Sequence, residues 1–450
     1  MISLELKLDA RGGKIKPMNA VNNGPTNPGI RAQSTNFDDY RELEIPYARN
    51  HDASFYEPYG GEHIVDVHRI FKDFSADEND PDSYIFEPTD IYVKNTMDAG
   101  TKIFYRLGAS IEHRYKYGTR VPKDMAKWAR ICEHIIRHYN EGWADGFEYG
   151  IEYWEIWNEP DCRNADGSNP CWQGTEAEFI EFYSITAKHL KSCFPHLKIG
   201  GPAFCGGGPR GFRRDFLEAV AKNNVPLDFY SHHWYGLDPI KLGGKRRAIM
   251  QEISETRAAL DELGLKDTEM ILNEWNYIRG WLAEDFAYSK STIGTLKGSS
   301  FVLATMLTGQ KSPLDMLMYY DMRPSAYCGP FELNTWRKRK PYYSFIAYRN
   351  LRRLGTEIPF ETDGDVYGVA ATDGKKYGIA LTHYSDDDSK EPELMQLSMS
   401  GLSGKKNVTC YILDGENDLE PTRSEVFTAD EFALYLKMPI YTTVYIEIEQ

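Results

Sequence analysis

Strand-like and helix-like segments alternate eight times between residues 14 and 355 of this 450-residue chain. The strand-like segments are short runs of β-branched and aromatic residues, such as Lys102–Gly108. The segments between them carry apolar residues three or four positions apart, as in Lys123–Tyr139, which indicates amphipathic helices. This alternation is typical of parallel strands joined by crossover helices. Eight such pairs predict closure into a (β/α)8 barrel, a TIM barrel.

The pattern changes near residue 356, where short strands separated by turn residues begin. Asp363-Gly364 and Asp373-Gly374 are typical of hairpins. We predict an antiparallel β-sandwich over residues 356–450 and a barrel over residues 14–355. The alternating segment in residues 1–13 is expected to add a strand to the sandwich. The sandwich strands are expected at Tyr367–Ala371, Tyr377–Thr382, Leu394–Met399, Val408–Ile412, Val426–Phe427 and Tyr441–Ile448.

Three segments of the barrel region carry more specific expectations. The first barrel strand is expected at Lys14–Asn19, on its apolar alternation. Ile64–Phe71 is expected to form a strand-like segment inside a long polar excursion. A single helix is expected around Ser291–Leu307, before the eighth strand.

Two of the predicted barrel strands end on a glutamate beside a tryptophan. The fourth strand leads into Asn158-Glu159-Pro160, and because Pro160 cannot donate to a ladder, Glu159 is expected at the carboxyl end of a buried strand. Glu274 ends the seventh strand, so in a parallel barrel both carboxylates reach the same face. Two carboxyl groups across a scissile bond are what glycoside hydrolysis requires. The competing interpretation of Glu159 is a salt-bridged surface residue.

Aromatic residues bear on the protonation of Glu159. Trp154 and Trp157 are expected to flank its carboxyl, and such surroundings raise a carboxyl pKa enough to make a general acid at neutral pH. The chain has nine tryptophans and 30 tyrosines, of which a few could stack on sugar rings and most would fill the core.

The net charge of −15 argues against nucleic acid or an anionic membrane surface as a partner, and is compatible with a neutral substrate such as a sugar. No apolar run approaches the roughly 18 residues that crossing a bilayer requires, so no membrane partner is expected. The N-terminal segment lacks the apolar block of a secretion signal. We therefore expect a soluble, cytoplasmic protein.

Cysteine and histidine residues give little sign of a metal site. The seven cysteines are scattered and fit reduced thiols, although Cys162 and Cys171 bracket a loop and could form a disulfide. The adjacent His232 and His233 lack a third ligand at a suitable spacing, so no metal is expected. No cofactor is expected either, because glycoside cleavage needs only acid–base and nucleophilic groups.

Several motifs together resemble glycoside hydrolase family 39, the family of β-xylosidases and α-L-iduronidases. Asn158-Glu159-Pro160 and Glu274 resemble the motifs of clan A of the retaining glycoside hydrolases. Arg49-Asn50-His51 at the second strand, Ser231–Gly236 at the sixth and the barrel-plus-sandwich layout are similar to family 39 itself. The similarity spans most of the chain.

The resemblance implies a role for each of these residues. Glu159 is the expected acid/base and Glu274 the expected nucleophile. Asn158 matches the residue that hydrogen-bonds the sugar 2-hydroxyl, with a strand-end cap as the alternative. His233 and Tyr235, two positions apart and therefore on one face of a strand, would border the nucleophile, or else pack the barrel interior.

The second strand is expected to contribute two further site residues. Arg49 and His51 share a face and could position the nucleophile and a sugar hydroxyl. An arginine beside Glu274 would lower the pKa of that carboxyl, as a nucleophile requires.

The sequence departs from the family pattern in the sugar subsite. Asp52 stands where the family has glycine, which adds a carboxylate near the sugar. Tyr320 takes the place of a tryptophan platform in the eighth strand, and Trp281 is expected to supply an aromatic wall instead. The insertions Glu57–Asp82 and Cys162–Cys171 could narrow the mouth into a pocket, which favours removal of terminal sugars over cleavage inside a polymer.

We therefore expect a retaining exo-β-glycosidase, and first of all a β-xylosidase, that acts on an oligosaccharide or another glycoside. β-Galactosidase, β-glucosidase, α-L-arabinosidase and α-L-iduronidase activities are the alternatives within the clan. A non-catalytic carbohydrate-binding protein on the same barrel is the alternative from another class. The resemblance also implies that the chain could form a homo-oligomer.

Overall fold

The structure is a computed structural model that describes residues 2–26, 35–52, 63–110, 118–237 and 249–450. Three predicted segments lie partly outside the described residues. They are the polar loop 22–29, the insertion 57–82 and the beginning of a helix expected at 246–263.

Eight parallel strands form a closed barrel in which each strand pairs with the next along the chain and the last pairs with the first. A separate strand, β1 (Ile2–Lys7), precedes the barrel. The barrel strands are β2 (Ala20–Asn22), β3 (Tyr47–Arg49), β4 (Lys102–Leu107), β5 (Tyr153–Ile156), β6 (Lys198–Phe204), β7 (Phe229–Gly236), β8 (Glu269–Tyr277) and β9 (Met316–Tyr319). The prediction of a (β/α)8 barrel is confirmed.

Helices connect the barrel strands and cover them. They are α1 (Phe37–Glu42), α2 (Val67–Ile70), α3 (Glu87–Asp98), α4 (Met125–Glu141), α5 (Glu176–Cys193), α6 (Phe212–Lys222), α7 (Ile249–Glu262), α8 (Ala283–Ile293), α9 (Leu296–Gln310) and α10 (Lys340–Leu354). In α4 the Asp124 side chain caps the first turn by accepting from the Lys127 N–H at 2.8 Å, and Gly142 ends the helix in the left-handed conformation. The stripe that includes Trp128 and Ile135 is buried, as its spacing predicts.

The C-terminal region forms two packed sheets. The first sheet has three strands in the order β1–β13–β16, and the second has six in the order β10–β11–β12–β17–β14–β15. The strands after the barrel are β10 (Thr356–Ile358), β11 (Val366–Thr372), β12 (Lys376–His383), β13 (Glu393–Ser400), β14 (Lys406–Leu413), β15 (Asp418–Phe427), β16 (Phe432–Met438) and β17 (Thr443–Glu449). All pairs are antiparallel except β1 with β13, which run parallel from Ile2–Met395 to Lys7–Ser400. Apolar residues of both sheets share one core.

Helix α9 joins the barrel to the sandwich. Every residue of this helix from Lys297 to Gln310 is buried. The Ser300 hydroxyl donates to the His383 carbonyl of β12 at 2.8 Å, which fixes the six-stranded sheet against the helix. Within the described ranges, none of the helices combines the length and apolar character that crossing a membrane requires.

Three of the segment predictions are wrong for identifiable reasons. The first barrel strand is β2 and not Lys14–Asn19, because Pro17 interrupts that segment and has no N–H to donate to a ladder. Ile64–Phe71 contains the short helix α2 instead of a strand, since a closed barrel offers no free edge for pairing. The helix expected at Ser291–Leu307 is two helices, and Thr295 caps the start of the second.

The sandwich differs from its prediction mainly at its edges. Strand β15 extends from Asp418 to Phe427, much longer than the expected Val426–Phe427, because its exposed edge position tolerates polar residues. Strands β10 and β16 are not among the expected strands; β10 has only three residues, and β16 is only partly buried.

Candidate active site

Glu159 and Glu274 meet at the carboxyl end of the barrel. Glu159 lies just beyond β5, where left-handed backbone at its own position (φ 48°) and a hydrogen bond from its N–H to the Ala203 carbonyl at 2.8 Å turn the chain toward the mouth. Glu274 lies within β8. A carboxylate oxygen of each glutamate and a ring nitrogen of His233 all lie within 4.8 Å of one another. Two strand ends that are 115 residues apart in the chain therefore form one site.

Glu274 is held by groups on both of its oxygens. Nη1 of Arg49 donates to Oε1 at 2.8 Å, and the Tyr235 hydroxyl donates to Oε2 at 2.8 Å. The nearest ring nitrogens of His51 and His233 lie 3.3 and 3.4 Å away. Both oxygens are thus oriented before any ligand binds.

The pKa of Glu274 departs from the expected direction. Burial raises it above its ordinary value, and the neighbouring His233 and Arg49, which both lower it, offset this only in part. Arg49 does favour the ionised form, as expected, but its charge is shared with a second carboxylate. The net effect is therefore a carboxyl that loses its proton at a higher pH than a free glutamate does.

The Glu159 carboxyl has no arginine or lysine among its hydrogen-bond partners in the described part of the chain. Burial raises its pKa to about 8, and the neighbouring Cys162 and Asp161 add to the effect. Oε1 lies 2.8 Å from Nδ1 of His233, whose own pKa is lowered by burial, so this histidine is neutral. Since Arg49 contacts Glu274 and not Glu159, Glu159 is the carboxyl that keeps its proton at neutral pH.

The tryptophans expected to surround Glu159 lie elsewhere. Trp157 packs against Trp128 of α4 and Phe182 of α5, in the layer between strands and helices. Trp154 stacks on Tyr105 of the neighbouring strand at a centroid distance of 4.7 Å. The raised pKa of Glu159 was thus predicted correctly for a reason that the structure corrects.

Arg49 connects the site residues to one another. Its guanidinium donates to Glu155 Oε2 at 2.6 Å and to Asn158 Oδ1 at 2.7 Å, in addition to Glu274. Because the Asn158 oxygen accepts from Arg49, its Nδ2 atom is the group turned to the cavity, and the structure gives it no partner among the described residues. Asn158 is therefore oriented to donate a hydrogen bond to a ligand in the cavity.

Sequence patterns alone did not identify Glu155. This carboxylate is fully buried and also accepts from Ser231 and Asn273, each at 2.6 Å. The signal that could have found it is a charged residue in the middle of an otherwise apolar strand, which must have a partner when it is buried. Arg49 is that partner.

Asp52 and Tyr320 form one wall of the cavity. The Tyr320 hydroxyl donates to Asp52 Oδ2 at 2.9 Å, and Nε2 of His51 lies 3.4 Å from the same oxygen. Burial followed by the charge of Arg49 holds the pKa of His51 well below its ordinary value, so the ring is neutral. Asp52 has left-handed backbone (φ 52°), a conformation that glycine adopts without strain and aspartate tolerates.

Trp281 lies at the outer rim of the site. Its side chain is 58% exposed, and it packs edge-on against Tyr235 at a centroid distance of 5.4 Å. The cavity has a volume of about 610 Å³, and its lining includes His51, Asp52, Asn158, Glu159, Tyr235, Glu274, Trp281 and Tyr320. Arg163 and Asn164 from the insertion Cys162–Cys171 also line it.

The cysteines agree with the expected reduced thiols, whereas His233 has neighbours that its sequence spacing did not predict. Cys162 and Cys171 are free thiols and not a disulfide. His233 does have carboxylate neighbours at ligand distance, from strands that its own sequence context does not reveal. Both oxygens of Glu274 also accept hydrogen bonds, from Arg49 and Tyr235, which a cation at this position would have to displace.

Comparison with known proteins gives a consistent picture. The model of the family "Glycosyl hydrolases family 39" matches residues 10–286. A β-xylosidase from Geobacillus stearothermophilus is 36% identical over 127 residues, which are 27% of this chain and 23% of that protein. A β-xylosidase from Caldicellulosiruptor saccharolyticus is 28% identical over 165 residues, 35% of this chain and 32% of that protein. The matched segments thus span a third or less of these relatives.

Solved structures match over the whole chain. A glucosidase from Croceicoccus marinus superimposes with a TM-score of 0.81 at 22% identity, covering 100% of this chain and 99% of that one. A monomeric β-xylosidase from Caulobacter crescentus gives a TM-score of 0.73 at 18% identity over 100% and 99% of the two chains. At these identities the likeness shows a shared barrel-plus-sandwich fold.

Proposed function

The chain belongs to glycosyl hydrolase family 39, and on that premise we propose that it is a retaining exo-β-glycosidase that releases terminal β-linked xylose. Glu159 is the acid/base and Glu274 the nucleophile. The observation that carries this proposal is the approach of their carboxylate oxygens to within 4.8 Å. Retaining glycosidases hold their carboxyl groups about 5–5.5 Å apart, whereas inverting ones need about 6.5–9.5 Å to admit a water.

The first chemical step transfers the sugar to the enzyme. An oxygen of Glu274 attacks the anomeric carbon while the bond from that carbon to the leaving oxygen breaks. The proton of Glu159 goes to the leaving oxygen, which departs as an alcohol. Arg49 donates to one oxygen of Glu274 and Tyr235 donates to the other. The hydrogen bond to the attacking oxygen therefore weakens as this oxygen forms its bond to the anomeric carbon.

The second step releases the sugar. Glu159, now a carboxylate, takes a proton from a water whose oxygen attacks the anomeric carbon, and the bond to Glu274 breaks. The free Nδ2 group of Asn158 is placed to donate to the sugar 2-hydroxyl, whose hydrogen bonds strengthen in the transition state. Two inversions restore the β configuration.

The cavity favours a terminal sugar of modest size. One wall is closed by Asp52 and Tyr320, and the rim carries the exposed Trp281. The Asp52 carboxylate would repel the carboxylate of a uronic acid, which argues against iduronidase activity. Alignment with two curated β-xylosidases supports xylose over the other neutral sugars.

A panel of p-nitrophenyl glycosides tests the sugar. The β-D-xyloside is expected to have the highest kcat/KM among the β-D-xyloside, β-D-glucoside, β-D-galactoside, α-L-arabinoside and α-L-iduronide. Rapid cleavage of another member with negligible cleavage of the xyloside would overturn the xylose assignment.

A Glu274→Ala variant separates the enzyme from a non-catalytic sugar-binding protein. Removal of the nucleophile is expected to lower kcat by several orders of magnitude while sugar binding persists. Calorimetric binding of xylobiose to this variant provides the second measurement. A wild-type protein that binds the sugar and hydrolyses none of the panel would support the binding-protein alternative.

A further inference from the structure

Three cysteines from two separate loops lie beside the proposed acid/base. Cys162 follows Glu159 by three residues, Cys171 closes the insertion, and Cys205 follows β6. Sγ of Cys162, Sγ of Cys171 and a carboxylate oxygen of Glu159 all lie within 4.8 Å of one another. Cys205 lines the same cavity as Glu159 and Cys162. One carboxylate and two sulfur atoms thus form a compact group of donors, and a third thiol lines the cavity beside them.

The backbone holds these thiols in place. The Cys171 N–H donates to Asn169 Oδ1 at 2.8 Å, and the Asn169 amide donates to the Pro160 carbonyl at 2.6 Å. The Cys205 N–H donates to Asp161 Oδ1 at 2.8 Å, and Asp161 is paired with Arg213 at 2.9 Å. The thiols therefore do not depend on an unsupported loop.

The donor set has a definite preference for ligands. Thiolates bind soft or borderline cations such as Zn²⁺ and Cd²⁺ and discriminate against Mg²⁺ and Ca²⁺. In a tetrahedral zinc site with Zn–S bonds of about 2.3 Å, neighbouring donors lie about 3.8 Å apart. Cys171 Sγ and Glu159 Oε2 are 3.9 Å apart, close to this spacing, and Cys162 Sγ lies within 4.8 Å of the ligand atoms of both residues.

We propose that Cys162, Cys171 and Cys205 form, together with Glu159, a binding site for a thiophilic divalent cation such as Zn²⁺ or Cd²⁺, and that the bound cation inhibits the glycosidase. On binding, the thiols release their protons to solvent and Glu159 coordinates as a carboxylate. A coordinated carboxylate has no proton for the leaving oxygen and cannot serve as the base in the second step. The inhibitory consequence rests on the proposed function of Glu159, whereas the binding itself does not.

The test uses the whole reduced protein, freed of metal with a chelator and then titrated with Cd²⁺. One equivalent is expected to produce the ultraviolet absorption of cadmium–thiolate bonds and to protect Cys162, Cys171 and Cys205 from alkylation, as read by mass spectrometry. Glycosidase activity is expected to fall in proportion to the occupied fraction and to return with EDTA.

Variants locate the site. Cys171→Ala and Cys205→Ala are each expected to weaken Cd²⁺ binding by about 100-fold, and the inhibition of each variant is measured relative to its own metal-free activity. Cys193→Ala is the matched control, because Cys193 lies with Glu133 and His189 in a separate group of candidate ligands near the surface of α4 and α5. This variant is expected to leave the inhibition unchanged.

Several results would overturn the proposal. Absence of the thiolate absorption and of alkylation protection in the wild type would exclude the site, and neither readout depends on glycosidase activity or on variants that fold. Inhibition that persists in Cys171→Ala and Cys205→Ala would place the cation elsewhere. Recovery of activity with a reductant but not with EDTA would indicate thiol oxidation instead.

Discussion

Arg49 and Glu155 form a fully buried ion pair, with 2.6 Å between Nε and Oε2, directly behind the carboxylate proposed as the nucleophile. The same guanidinium binds Glu274 at 2.8 Å. One positive charge therefore serves two buried carboxylates. Glu155 fixes the position of Arg49 and also limits how strongly Arg49 can favour the ionised form of Glu274.

Glu155→Gln tests this positioning role. We expect the free energy of unfolding to fall by about 3 kcal/mol, because one partner of a buried pair is lost. The acidic limb of kcat/KM is expected to move to lower pH, since Arg49 would then act on Glu274 alone. Chemical denaturation and pH–rate profiles measure the two effects. Ser231→Ala is the control, because it removes a neutral donor to Glu155, together with the acceptor of the Ala203 N–H, and leaves the charge of Glu155 in place. A destabilised variant with an unmoved acidic limb would show a purely structural role.

The pH profile of kcat/KM is expected to be bell-shaped. Glu159 must be protonated for the first step, so kcat/KM should fall as pH rises through about 8, the raised pKa of this carboxyl. Glu274 must be ionised, and because burial raises its pKa, the acidic limb should lie above the ordinary glutamate value of 4.5. Glu159→Gln should remove the alkaline limb. An alkaline limb that survives this substitution would assign the acid to another group.

Glu159 should also affect stability. Between pH 4.5 and about pH 8, the Glu159 carboxyl keeps its proton in the native state, whereas in the unfolded chain it has already lost it. The native state therefore binds more protons than the unfolded state in this pH range. Stability should therefore decline as pH rises through the window. Denaturant titrations across this range should show a smaller decline in Glu159→Gln than in the wild type.

Asp52 is expected to set the discrimination against acidic sugars. Because its backbone is left-handed, Asp52→Gly should fold without strain and remove the carboxylate. We expect the ratio of kcat/KM for uronides to that for neutral glycosides to rise at least about tenfold, or 1.4 kcal/mol. Asp52→Asn is the control that removes charge without removing bulk. An unchanged ratio in both variants would show that Asp52 does not face the sugar.

Chemical rescue should distinguish the two carboxylates. In Glu159→Ala the glycosyl-enzyme forms from an activated aryl glycoside but lacks a base to deprotonate water, so added azide should accelerate turnover and yield a β-glycosyl azide. In Glu274→Ala any azide product should have the α configuration. An α-glycosyl azide from Glu159→Ala and a β-glycosyl azide from Glu274→Ala would mean that Glu274 is the acid/base and Glu159 the nucleophile.

The barrel could be predicted from the sequence because strand and helix periodicities differ and alternate regularly along the chain. Prediction failed where tertiary pairing decides the structure, as for Ile64–Phe71, which meets a barrel without a free edge, and for β15, whose polar residues occupy a sheet edge. The predicted cytoplasmic location and homo-oligomer stay predictions.

The candidate site was predictable to the extent that its residues stand in short motifs. Glu159 and Glu274 follow strand-like runs and have distinctive sequence neighbours. Arg49 also lies near the end of a strand-like run, in the motif Arg49-Asn50-His51. The contact of Arg49 with Glu155 joins residues 106 positions apart, and Cys205 lies 34 and 43 positions after Cys171 and Cys162, with no periodic signal between them. Only the closed barrel brings such residues together.

The anomeric configuration of the first-formed product tests the central claim most directly. Proton NMR during hydrolysis of an aryl β-xyloside records the released sugar before mutarotation. Carboxylate oxygens within 4.8 Å of one another predict that β-xylose appears first and α-xylose only later. Initial release of α-xylose would mean a single inverting displacement and would contradict the roles proposed for Glu159 and Glu274.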